Sequence, residues 1–262
     1  MYPITMQDNR TEDPFLDKPE FSRILANDPD LLAKIDERAV HFGVGRTMPI
    51  SDLPALRLLL IKLLSEGCPE DTVRRLMYAA FEIKMAHINT HYHVLELAGF
   101  ENAYLVDAET RASYKPFEDD RSFSLALSRS RAAFAMILRV RALWDKLFIY
   151  CALRFDGDNA LRMLQSRRSK RKFFFSRYSA GIGPLPSDEL VRARESIESL
   201  ERSFRSPEAH GFGVIHPWAF RTPETWPEGH TGPILGHWND MSHFLHLVFK
   251  EADGMRDSFS IK

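Results

Sequence analysis

From Asp119 to Phe155 the chain carries no helix stop signal, and apolar residues recur at helical spacing throughout. A periodic segment of that length is too long for an ordinary globular helix and predicts the spine of a bundle. The break comes at Asp156-Gly157-Asp158-Asn159. Similar cues place helices on either side. Residues 21–27 and 29–41 read as short helices ending at Gly43. Ser51, with Pro54 in the first turn, opens SDLPALRLLLIKLLSEG, and Gly67 stops it. Asp71 caps a long helix to about Leu97, with Gly99 as its stop. Further helices are expected over 158–178, from Ser187 to about Phe204, and over His237–Glu251, with the loop SAGIGPLPS after the first. Residues 100–117 read as a short hairpin or a loop, the only strand-like patch. The Gly-, Pro- and Trp-rich stretch 205–236 reads as irregular, with HPWAFRTPETW a loop packed over the bundle. The expected fold is therefore all-α: a helical bundle with a long central helix and an irregular loop before the last helix.

Composition narrows the class further. At 262 residues there is chain enough for one large domain or two small ones. We expect a flexible acidic tail over 1–20, an N-terminal helical region over 21–118 and the main bundle over 119–262. A hydrophobic share of 44% excludes wholesale disorder. Cys68 and Cys151 are too few for a disulfide framework or a Cys-rich zinc site, and they suggest a reducing compartment. The start, MYPITMQDNRTEDPF, lacks the basic and apolar regions of a signal peptide. The most apolar stretch, Ala132–Leu153, is interrupted by Arg139, Arg141, Asp145 and Lys146, which suits a core helix and not a membrane span. A cytoplasmic location is expected.

The net charge of −1 hides a division along the chain. Between Arg121 and Arg177 stand 14 Lys and Arg against three acids (Asp145, Asp156, Asp158), a local +11, which leaves −12 for the rest. The densest run, RRSKRKFFFSRY over 167–178, places Arg167, Arg168, Lys170, Arg171, Lys172 and Arg177 among four aromatic rings. Cations hold phosphates and ring faces stack on unpaired bases, so the run is a candidate RNA-binding surface. A solvated basic face paired with the acidic remainder is the plainer reading.

On the long helix, about 100° per residue from Phe134 puts Leu138, Trp144 and Phe148 on the apolar face, with Arg141 and Asp145 among them. Arg139 and Lys146 point away, into solvent. Buried charges are costly unless paired, so Arg141 and Asp145 form either an internal bridge or part of a site.

Later, SLERSFRSPEAHGFG sets Arg205 and His210, with four residues between them, across an expected helix end, because Ser206 precedes Pro207 and is biased away from helix. A guanidinium and an imidazole brought to one point suit RNA strand scission. The imidazole moves a proton at the ribose 2′-OH or at the leaving oxygen. The guanidinium stabilises charge building on the phosphate. Alternatively, Arg205 caps the preceding helix and His210 is an ordinary turn residue.

This Arg-x4-His arrangement after amphipathic helices resembles the HEPN superfamily of α-helical ribonuclease-like proteins, over roughly residues 119–252. Arg205, the polar Ser206 and His210 are the matching positions. The resemblance implies metal-independent cleavage by 2′-OH attack, leaving a 2′,3′-cyclic phosphate, in a cleft shared by two protomers of a homodimer. It also implies a supporting acid on an earlier helix, for which Asp145 with Arg141 is the candidate. A toxin or defence setting, with an antitoxin or other regulatory partner, goes with it. No cofactor and no metal are expected.

Two other readings remain open. The chain is a non-catalytic helical module that binds RNA or an acidic protein, or a metal-dependent helical hydrolase. For the latter, His87 and His91 stand one turn apart with His93 nearby, and Asp240, His243 and His246 lie downstream of His230 and His237. Core or interface packing is the competing account of the first group, and an amphipathic helix (Trp238, Met241, Leu245, Val248) that of the second. Gly181-Ile182-Gly183 lacks a preceding strand and is no dinucleotide fingerprint.

Overall fold

The computed structural model describes residues 53–105, 112–167, 169–207, 213–221 and 231–259. Among them are seven α-helices and no strand: α1 (Leu53–Ser65), α2 (Glu70–Leu105), α3 (Asp120–Gln165), α4 (Lys170–Arg177), α5 (Ser187–Leu200), α6 (Ile215–Ala219) and α7 (Thr231–Phe259). A π-helical turn, Glu201–Arg205, extends α5. The fold is all-α with α3 at its centre. The tail over 1–20, the short helices expected over 21–41, and Ser51 lie outside the described residues.

Helix α3 begins where Asp119, in extended conformation, accepts a hydrogen bond from the Ser122 amide at 2.8 Å. That satisfies one of the free donors at the helix start. Its buried stripe runs through Met136, Val140, Leu143, Leu147 and Cys151. Trp144 and Phe148 close it, ring against Phe244 at 5.1 Å and ring against Phe174 at 4.4 Å. Each fully buried large side chain contributes about 1.5–3 kcal/mol. The core extends from Leu59 and Leu63 of α1 and Val73–Leu97 of α2 to Ile234–Phe249 of α7, so α1 and α2 belong to it.

This stripe is rotated from the expected one. Phe134 and Leu138 are 41% and 43% exposed, and they continue an outer apolar row with Phe123 and Leu127. The buried face packs against α2 and α7, and Arg141 and Asp145 are half-buried at its edge. Lys146, expected in solvent, reaches Glu82 of α2 at 2.5 Å.

Gly157 kinks α3 without ending it, with φ 78° and ψ −172°. Both neighbours are tied down. Asp156 accepts from Arg177 and from the Tyr178 hydroxyl (2.9 Å), while Asp158 accepts from Arg75 (2.9 Å) and Thr72 (3.2 Å) of α2. The helix expected over 158–178 is two helices, because Ser166 closes α3 and Ser169 opens α4.

Other boundaries also moved. Gly67 ends the first turn after α1 at φ 86°, as expected. Helix α2 starts at Glu70, so Asp71 lies in its first turn, paired with Arg75 at 3.1 Å. It then passes Gly99 to Leu105, so residues 100–105 of the stretch expected as hairpin or loop are helical, while 106–111 lie outside the described residues. A lone glycine costs a helix about 1 kcal/mol, less than packing along α3 supplies. Ser187 is the first residue of α5, with Pro186 in extended conformation at the N-cap position and no side-chain capping bond. Ser206 stays helical (φ −68°, ψ −43°) despite the following proline. Helix α7 starts six residues before His237, and α6 lies in the stretch expected to be irregular. There Trp218 lies 3.8 Å from the Arg129 guanidinium, and the Ala219 carbonyl accepts from the Tyr114 hydroxyl at 2.6 Å. Residues 216–221 thus pack over α3, while 222–226 fall outside the described residues. Both cysteines are free, and burial pushes the Cys151 thiol far up. Among the described residues, no helix is long and apolar enough to cross a membrane.

Candidate functional site

Three segments distant in sequence meet at one open cleft of about 360 Å³. Helix α3 supplies Arg141 and Asp145, one turn apart. The π-turn supplies Glu201 and Arg205. The start of α4 supplies Ser169, Lys170 and Arg171. A π-turn fits one extra residue into the turn and recurs at functional sites. Here it follows α5 directly, so Glu201 and Arg205 both face the flank of α3. At the third wall, the Ser169 hydroxyl accepts from the Lys172 amide at 3.5 Å, which starts α4 with its basic residues at the cleft.

Glu201 is the hub. Its Oε1 accepts from Arg141 Nε at 2.5 Å and lies 3.8 Å from Arg171 Nη1, while its Oε2 accepts from Arg205 Nη1 at 2.8 Å. Arg141 Nη1 also stands 2.7 Å from Asp145 Oδ1, an ion pair outside hydrogen-bond geometry. Burial works against the Arg141 charge, but Asp145 and Glu201 outweigh it and hold that guanidinium above the usual arginine range. Burial likewise opposes the Glu201 charge, and Arg141 with Arg205 overcomes it, holding the carboxyl below its usual range. Arg141 and Glu201 are therefore both charged at neutral pH. Four cations (Arg141, Lys170, Arg171, Arg205) face two carboxylates, so the cleft attracts anions.

The structure places Arg205, Arg141 and Asp145 along one cleft. His210 lies outside the described residues. The basic run divides. Lys170 and Arg171 line the cleft, and Arg167, exposed, covers Phe173 at 5.3 Å. Lys172 is exposed, and Arg177 is paired with Asp156 at 2.6 Å, away from the cleft. Arg168 falls outside the described residues. The interleaved rings do not serve as a stacking face, because Phe174, Phe175 and Tyr178 are buried in the core. Their spacing is that of an amphipathic helix, with rings inward and cations outward.

The histidine groups behave differently. His87 and His91 are buried, with His87 stacked 4.6 Å from Trp238, and His93 pairs with Glu96 at 3.1 Å. They are core histidines. On α7, His237 meets Ser196, Asp240 meets Arg192 and His243 meets Glu189, three separate contacts along the seam with α5. Among the described residues, no three His, Cys, Asp or Glu side chains gather as a metal site.

Glu201 escaped sequence reading. Its signal was present as Glu-x3-Arg ending at Arg205, the spacing that pairs charges along a helix. Comparison with protein-family models, with curated proteins and with solved structures gave no match.

Proposed function

We propose that this cleft holds a phosphate of RNA and that the chain is a metal-independent endoribonuclease of HEPN type. The observation that carries the reading is the meeting of Arg205 with Arg141, Asp145, Lys170 and Arg171 around one open, cationic cleft. His210, five residues beyond Arg205, takes the proton of the ribose 2′-OH or returns one to the leaving 5′-oxygen. The 2′-oxygen bonds to phosphorus as the bond to the 5′-oxygen breaks, leaving a 2′,3′-cyclic phosphate and a 5′-hydroxyl. Arg205 stabilises the negative charge that grows on the non-bridging oxygens. Asp145 holds Arg141 in place beside it. Homodimer formation and a toxin or defence role under an antitoxin-like partner are proposed on the sequence resemblance alone.

The test is cleavage of a labelled single-stranded RNA by the purified chain in EDTA. Loss of cleavage in both Arg205→Ala and His210→Ala is the expected result. Cleavage that persists unchanged in His210→Ala refutes the catalytic assignment. The second reading, a phosphate-binding module without turnover, has one observation in its favour: Glu201 already engages both arginines. It predicts salt-sensitive RNA binding, weakened by Arg205→Ala, with the RNA left intact.

A further inference from the structure

We infer that Glu201 is an internal occupant of the phosphate site, and that a phosphate binds by displacing its carboxylate from Arg141 and Arg205. This inference rests on the reading that the cleft takes phosphate.

A carboxylate that gives one oxygen to each of two guanidiniums makes the contacts a phosphate makes there. The imitation is incomplete. Arg171 Nη1 is buried and has no hydrogen-bond acceptor among the described residues, with Glu201 Oε1 3.8 Å away. Two carboxylate oxygens engage two arginines and leave the third short. A tetrahedral phosphate offers its oxygens in more directions and satisfies the remaining donor, which is costly to leave unmet in a buried position.

The charges agree. With Glu201 turned inward, four cations face Glu201 and Asp145. Replacing the carboxylate by one phosphodiester charge keeps that balance, whereas adding a phosphate beside Glu201 sets two anions on the same arginines. The flexible Glu201 side chain stands at the first position of the π-turn, next to the exposed Arg202. Arg141 stays paired with Asp145 throughout, so only one of its two carboxylate contacts is exchanged.

The alternative is that Glu201 only keeps Arg141 and Arg205 from repelling each other. The two roles predict opposite signs for one substitution. An internal competitor, once removed, leaves the site more open, so Glu201→Gln binds phosphate more tightly. A structural support, once removed, lets the arginines splay, so Glu201→Gln binds more weakly.

The experiment titrates inorganic phosphate, and separately a single-stranded oligouridylate, into the full chain at constant ionic strength. Melting temperature serves as the check that each variant is folded. The expected result is affinity about tenfold tighter in Glu201→Gln, the factor that corresponds to about one charge-assisted contact. Glu201→Asp, whose shorter side chain reaches only one arginine, should fall between. Tightening for the oligouridylate but not for free phosphate assigns the site to nucleic-acid backbone, and tightening for both assigns it to phosphate in general. Binding in Glu201→Gln that is equal to or weaker than wild type, while Arg205→Ala abolishes wild-type binding, overturns the inference and leaves the proposed function standing. Absence of binding by wild type and Glu201→Gln alike overturns both.

Discussion

His87 offers the most direct test of how this core is built. It has no exposed surface, its ring stacks on Trp238, and neither nitrogen meets a hydrogen-bond partner among the described residues. Burial first, and then the neighbouring His91, lowers its pKa from 6.5 to about 3. Below pH 6.5 the unfolded chain binds a proton that the folded chain refuses, so stability falls as pH falls, over the window from 6.5 to about 3. At pH 5 the loss from His87 alone is about 2 kcal/mol, and any folded value below about 4.5 gives nearly the same figure. Burial also lowers His91 and His237, so the wild type combines several such losses. The contribution of His87 is isolated by comparison with His87→Leu in urea unfolding at pH 7.5 and pH 5. Wild type should lose about 2 kcal/mol more than the variant between the two conditions. Parallel losses in the two proteins refute the argument, since His87 must then be protonated or solvated in the native state.

Three further outcomes are expected. Gly157→Ala should destabilise by about 1–2 kcal/mol in urea unfolding, because Gly157 has φ +78° while nothing within 4 Å obstructs a Cβ. Phe174→Ala should cost about 3–5 kcal/mol by the same measurement, as its buried ring packs on Phe148 and Tyr178. Lys172→Ala should leave stability within about 0.5 kcal/mol of wild type, since the residue is exposed. On the proposed RNA-binding reading, it should lower the salt dependence of binding to single-stranded RNA by about 0.7 in slope, measured by titration at several salt concentrations.

The long helix and its kink at Gly157 were legible in the sequence because each rests on local chemistry: periodicity and a turn-forming cluster. Gly99 and Ser206 misled for the complementary reason. Their local preferences are worth about 1 kcal/mol, and helix packing over many residues overrides that. The core face of α3 was misjudged because Phe134 and Leu138 share spacing with Phe148, and only the positions of α2 and α7 decide which row is covered. Arg141, Asp145 and Arg205 were legible as charges in unusual places. Glu201 was not, since its significance depends on Arg141, 60 positions earlier in the chain. The rings at 173–178 looked like a stacking surface because a sequence shows alternation and not direction.

The kink at Gly157 separates the two walls of the cleft: Arg141 and Asp145 precede it, whereas Lys170 and Arg171 follow it. The rest of α3 after the glycine, Asp158–Gln165, is a lever about 12 Å long. A rotation of about 10° at Gly157 therefore shifts the start of α4 by about 2 Å, enough to bring Arg171 within hydrogen-bonding reach of an anion or carry it out of reach. The bonds of Asp156 to Arg177 and Tyr178, and of Asp158 to Arg75 and Thr72, act as the brakes on that rotation. Leu161, Leu164 and Phe174, all buried in the core, oppose the same rotation, so the spacing of the two walls is held by apolar packing together with the ion pairs that flank the kink.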